Sequence, residues 1–139
     1  MIEAADIDKK ISEMIFSIYR KMKKNFQTIK DNNLTMIQLH GLIFIKENKN
    51  CQLTDLAKDF SITLPTANSL VEKLVNLNLV SKTHDKNDQR VIKLSITQRA
   101  KNLIKKIMQE KERCFANLIN KLNNKEKRQL LVILKKIIS

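Results

Sequence analysis

Apolar residues recur at steps of three and four over most of this chain and alternate over two short runs, and the change of period marks its parts. From Asp6 to Lys30 the residues Ile7, Ile11, Met14, Ile15, Ile18, Met22, Phe26 and Ile29 form one stripe, which predicts a single long first helix. Its opposite face carries Lys9, Lys10, Arg20, Lys23 and Lys24, the pattern of a solvated surface. Asp31-Asn32-Asn33 ends that helix. Thr35 opens the next as an N-cap, with Gln38 three residues on completing a capping box. Met36, Ile37, Leu39, Leu42, Ile43, Phe44 and Ile45 then run apolar almost all round, as in a buried central helix. Gly41, the only glycine, lies inside it at a cost of about 1 kcal/mol relative to alanine, which predicts close helix packing there.

After the polar loop Lys46–Asn50, residues 51–53 are expected to add a short third strand to a later hairpin. Leu53–Phe60 reads as a short helix with Leu53, Leu56, Ala57 and Phe60 inward, and Ser61–Thr63 as a turn. A second helix follows from about Pro65 to Asn76, with Ala67, Leu70, Val71, Leu74 and Leu77 on its buried face. Proline suits a first helical turn and disfavours helical backbone at Leu64 before it. Asn78 can take a left-handed cap conformation. The β-leaning runs 79–83 and 91–96 flank the all-polar His84–Arg90, which predicts a hairpin with a charged tip. A helix-turn-helix followed by such a hairpin is a winged helix. Thr97 caps a helix expected to reach Leu122, Asn123-Asn124 breaks it, and a last helix runs from about Lys125 to Ile138.

The fold class expected is therefore mainly α with a small β-hairpin (α+β). A winged helix-turn-helix occupies residues 34–97, and residues 1–33 and 98–139 supply a helical dimerisation layer. The terminal helices carry more apolar surface than a monomer uses, so Ile7, Ile11, Met14, Leu118, Leu122, Leu130, Leu134 and Ile137 are expected at a two-fold seam.

Charge sharpens this picture. The 139 residues include 27 Lys and Arg against 14 Asp and Glu, a formal charge of +13, which attracts polyanions, either nucleic acid or an anionic membrane. Abundant Lys, Asn and Ile would also follow from an AT-rich genome, so charge alone decides nothing; its coincidence with a winged helix favours nucleic acid. With one Tyr and no Trp, the stacking platforms of single-strand binders are missing, which favours duplex DNA. No stretch approaches eighteen apolar residues and the first residues are acidic, so neither a membrane span nor a signal peptide is expected, and the protein is expected to be cytoplasmic. Cys51 and Cys114 lack partners at metal spacing, and His40 and His84 stand alone, so no metal is expected. Both cysteines read as plain small residues, with only a weak case for Cys51 as a redox thiol among Lys49, Asn50 and Gln52. Without a Gly-rich phosphate loop or a carboxylate pair in an apolar context, no enzyme and no cofactor is expected.

The candidate DNA-reading residues follow from the helix that begins near Pro65. Pro65, Thr66, Asn68, Ser69 and Lys73 lie away from its apolar face; Asn68 and Ser69 are short enough to approach base edges, and Lys73 suits a phosphate. Arg90 can enter a minor groove with Asp85 or Asp88 stabilising the wing, and Lys82, Lys86 and Lys93 can meet phosphates. The plainer alternatives are a solvated Asn68 and an Arg90–Asp pair that only stiffens the hairpin.

Several segments resemble the MarR family of winged-helix transcriptional regulators. Leu34-Thr35-Met36-Ile37-Gln38 is similar to that family's Leu-Thr-x-x-Gln, Leu53-Thr54-Asp55-Leu56-Ala57 to its Leu-x-x-Leu-Ala, and Asp85 to Thr97 to its Asp-x-x-Asp-x-Arg wing followed by a strand and Leu-Thr. Asn78 stands where a glycine is usual and Ala100 where Thr-x-x-Gly is common. The resemblance implies a homodimer on a palindromic operator in double-stranded DNA, often repressing, and often released by a small aromatic effector. An oxidant-sensing subset carries a cysteine in the first helix, which this chain lacks. Met14, Ile18 and Phe44 could border an effector crevice but read first as core. The rival reading is a basic winged helix that binds DNA without sequence preference or acts through protein association.

Overall fold

The computed structural model describes residues 3–139. Helix α1 covers Ala4–Lys24, α2 Gln27–Asp31, α3 Met36–Glu47, α4 Leu53–Asp59 and α5 Leu64–Asn76; strands β1 (Val80–His84) and β2 (Ile92–Ile96) follow, then α6 (Gln98–Ile119) and α7 (Asn124–Ile138). The mainly α class with a two-stranded antiparallel hairpin is as expected. Backbone contacts divide the chain into two compact units, residues up to Gln27 with Met108–Ser139, and Thr28–Ile107.

Thr28–Ile107 contains nearly the whole core. Leu42 and Ile45 of α3, Leu56 of α4, Ala67, Val71 and Leu74 of α5, Leu79 and Leu94 of the hairpin, and Ile104 and Ile107 of α6 are all essentially closed to solvent. Those positions repeat at three and four on the helices, as amphipathic elements around one core require, and Leu94 is the buried residue of β2. Phe44 and Phe60 meet edge to face at 6.0 Å between ring centres, an arrangement that suits the aromatic quadrupoles.

Caps fix the element ends. Thr35 accepts the Gln38 amide at 3.3 Å while Gln38 Oε1 accepts the Thr35 amide at 3.0 Å, the expected capping box. Asn33, Ser61 and Asn78 each take positive φ, of 53°, 52° and 57°, immediately after a helix. The following amides of Leu34, Ile62 and Leu79 reach back five residues to Ile29, Ala57 and Leu74, as in Schellman endings made without glycine. The hairpin pairs Val80 with Ile96 through His84 with Ile92. The third strand is reduced to a single bridge, Gln52 to Lys93, with the Leu94 amide donating to the Cys51 carbonyl at 2.8 Å.

Three expectations need correction. The first helix does not run unbroken to Lys30: α1 ends at Lys24, and α2 starts after Asn25-Phe26. The Asn25 backbone amide closes the helix on the Met22 carbonyl at 3.0 Å, the Asn25 side-chain Nδ2 donates to Cys114 Sγ at 3.7 Å, and the Gln27 backbone amide donates to Glu110 Oε1 at 3.0 Å, so side chains of α6 supply partners at the break. Helix α5 starts one residue early, with Thr63 as N-cap accepting the Thr66 amide at 3.3 Å and Pro65 still in the first turn. Helix α6 stops at Ile119 rather than Leu122, and Asn123 opens α7 through a capping box with Glu126.

The other unit is open. Of its described residues only Cys114 is buried. Ile7, Ile11, Met14, Leu134 and Ile137 are 46–68% exposed, and Leu118, Leu122 and Leu130 are half-buried. Met14 and Ile18, read first as core, are thus exposed in a single chain. No described helix is long and apolar enough to cross a membrane.

Candidate nucleic-acid interface

Helix α5 turns Ala67, Leu70, Val71 and Leu74 inward, which leaves Pro65, Ser69, Glu72 and Asn76, at steps of three and four, along the opposite exposed face. Thr66, Ser69 and Lys73 line one side of that face and share an open hollow of about 510 Å³ with Thr35, Ile37, Gln38 and Pro65. Ile37 is half exposed there, so α3 is not buried all round. The Lys73 side chain makes no hydrogen bond or ion pair among the described residues, which leaves its ammonium available.

On the other side, α5 meets the wing. Lys82 of β1 donates from Nζ to Asn68 Oδ1 at 2.7 Å and pairs with Glu72 Oε1, and its side chain is only 19% exposed. An ammonium is donor-only, so the amide atom facing it is the carbonyl oxygen and the Asn68 NH2 points elsewhere. Lys82, expected to reach phosphate, is therefore already engaged within the fold. Glu72, which sequence reasoning passed over, stands in the middle of the exposed face; helical spacing from Pro65 and Ser69 was the signal that could have found it.

The wing tip is held by its aspartates. Asp85 Oδ1 accepts the Asn87 amide at 2.8 Å and the Asp88 amide at 3.3 Å, while Oδ2 meets Lys93 Nζ at 3.0 Å. The Asn87 amide first, then Lys93 and the Asp88 amide, hold the Asp85 carboxyl below the usual carboxylate range. Asp88 Oδ1 accepts the Arg90 amide at 3.0 Å and lies 3.6 Å from Arg90 Nε. The Arg90 side chain is 95% exposed, so that contact anchors its backbone and leaves the guanidinium in solvent. Val91 and Ile92 beside it share a 140 Å³ hollow with Leu53, Thr54 and Leu64, which sets the wing against the start of α5. Lys86 is exposed at the tip, and Lys93, tied to Asp85, is half-buried. Cys51 is buried, and burial first, then the charge of Asp55, pushes its thiol up, away from the reactive thiolate.

Residues 34–92 match the family model described as "MarR family". The chain carries a MarR family domain. It is 25% identical over 97 residues to the HTH-type transcriptional regulator BilQ of Clostridioides difficile (strain CD3), covering 66% of each chain. It is 20% identical over 122 residues to the HTH-type transcriptional repressor MdtR of Bacillus subtilis (strain 168), covering 87% of this chain and 79% of that one. Among solved structures, the YusO protein from Bacillus subtilis superposes with a TM-score of 0.83 at 20% identity, over 98% of this chain and 97% of that one. The S. aureus MepR-DNA complex superposes with a TM-score of 0.74 at 22% identity, over 91% and 96%.

Proposed function

We propose that this MarR-domain protein is a homodimeric, sequence-specific regulator of transcription that binds a palindromic operator in double-stranded DNA, acting as a repressor. The observation that carries the reading is the exposed polar face of α5, with unpaired Lys73 on one side and the Arg90 wing beside its first turn. A short polar helix face suits base edges in a major groove, and an exposed arginine on a hairpin suits the narrow, strongly negative minor groove. Thr66, Asn68 and Ser69 face bases, Lys73 and Lys86 phosphates, and Asp85 and Asp88 keep the wing in shape.

Dimerisation is supported by the open unit, in which α1 and α7 have no buried residue and leave Ile7, Ile11, Leu131 and Leu134 about half exposed. A second copy offering the same surfaces would bury them about a two-fold axis. It would also hold two α5 helices at a fixed separation, about one helical turn of DNA. Release by a small aromatic effector is part of the proposal; a thermal-shift screen of aromatic acids finds ligands, and loss of operator binding in their presence tests release.

The charge of +13 favours a second reading, a basic winged helix that coats DNA without sequence preference. Affinity at about 150 mM salt for the DNA upstream of the protein's own gene, against random duplex, separates the two. Specific regulation expects a ratio of about 10³ or more, and a ratio near one favours the second reading.

A further inference from the structure

The proposed reading face contains a carboxylate in the wrong place for a surface meant only to attract phosphate. Glu72 is the only acidic residue of α5 and lies among Pro65, Ser69 and Asn76 on its most exposed line. Left alone, it would repel a DNA backbone. It is not left alone, because the part-buried ammonium of Lys82 pairs with Glu72 Oε1 and donates to Asn68 Oδ1 at 2.7 Å. The three side chains therefore have a fixed polarity. Lys82 occupies one oxygen of Glu72 and leaves Oε2 as a pure acceptor, and it fixes the Asn68 amide with Oδ1 on the ammonium and both NH2 donors free.

We propose that Glu72 is a specificity-determining residue, accepting a hydrogen bond from the exocyclic amine of a cytosine in the major groove, and that Lys82 is the positioning residue that aims it. Among base edges in that groove, the cytosine N4 amine is the donor a lone carboxylate oxygen matches, whereas adenine pairs its amine with an adjacent acceptor, N7, that a carboxylate repels. Asn68, with its oxygen held by Lys82 and its NH2 free, suits an acceptor edge next to it, such as guanine O6 or N7. The neutralising pair also explains how a carboxylate is tolerated so close to phosphates. This inference rests on the proposal that α5 enters the major groove.

The test is an affinity series on an operator selected from random duplexes with the wild-type protein. Each position of one half-site is changed to all four base pairs and measured with wild type, Glu72→Gln, Lys82→Met and Lys82→Arg. Wild type is expected to prefer C·G at one position by about tenfold or more. Glu72→Gln should shift that position alone towards A·T, since a carboxamide can pair with adenine N6 and N7. Lys82→Met should lose the preference at that position and keep the salt dependence of binding unchanged, and Lys82→Arg, which keeps the donors, should restore it. Three results overturn the inference: Glu72→Gln raising affinity for every sequence alike, Lys82→Met flattening the log–log salt slope by about one unit with preferences intact, which would make Lys82 a phosphate ligand, or no position favouring cytosine. If wild type selects no sequence at all, the regulator reading itself fails, and this inference with it.

Discussion

Replacing Gly41 by alanine tests how tightly α3 and α5 pack, and the structure gives the sign. Gly41 is buried on α3 with ordinary negative φ. A methyl group built there would lie 3.6 Å from Leu70 Cδ2 and 3.7 Å from Leu74 Cδ1, ordinary van der Waals contact rather than a clash. Close packing, the reason the sequence suggests for this glycine, therefore leaves room for one more carbon. Alanine gains about 1 kcal/mol of helix propensity, and burying one methyl adds up to about 0.8 kcal/mol, less whatever small shift Leu70 and Leu74 make. The net expectation is a stabilisation of about 1 kcal/mol, or a rise of about 2–5 °C in Tm. The assay is urea unfolding of both proteins at one fixed concentration, because any association makes apparent stability concentration-dependent. A higher midpoint with an unchanged m-value agrees; a loss of about 1 kcal/mol or more would mean that α3 and α5 lie closer than described and would refute the packing argument.

Other perturbations follow from the same contacts. Ile11→Glu with Leu134→Glu places carboxylates on surfaces about half exposed in one chain. Equilibrium sedimentation should show monomer at about 10 µM with the winged-helix unit still folded, and an unaltered dimer would remove these residues from the interface. Thr97 Oγ1 donates to the Asn78 carbonyl at 2.7 Å and accepts the Ala100 amide at 3.1 Å, so Thr97→Val should cost about 1–2 kcal/mol in chemical denaturation, and a neutral result would mean neither bond matters. Because folding lowers the Asp85 pKa, its contribution to wing order is full above the unfolded carboxylate value and fades as pH falls through the folded one. The protection factors of the Asn87 and Asp88 amides, taken against the intrinsic exchange rate at each pH, should therefore fall only under acid conditions in wild type, and at neutral pH already in Asp85→Ala; a wing equally protected in the variant would deny Asp85 its role.

Local rules made much of this fold legible. The Thr35–Gln38 capping box, the left-handed Asn78 and the hairpin from β1 to β2 depend on residues near each other in sequence, and each is found where its pattern lies. What stayed hidden depends on partners far along the chain. Met22, Phe26 and Ile29 keep the period of one helix, but the break after Lys24 takes its hydrogen-bond partners from Cys114 and Glu110, which periodicity cannot see. Lys82 looked like one more exposed cation because Asn68 and Glu72 lie on another element, 14 and 10 residues back. Charge counting registered Glu72 only as a subtraction, although its spacing from Ser69 already put it on the exposed face of α5.

The central claim is that two copies present paired α5 helices to duplex DNA, and selection from a random duplex library tests it most directly. Sequences enriched by the wild-type protein at about 150 mM salt should converge on an inverted repeat whose half-site centres lie about 10–10.5 base pairs apart. Enrichment of no motif, or of a single half-site without its mirror, would contradict it.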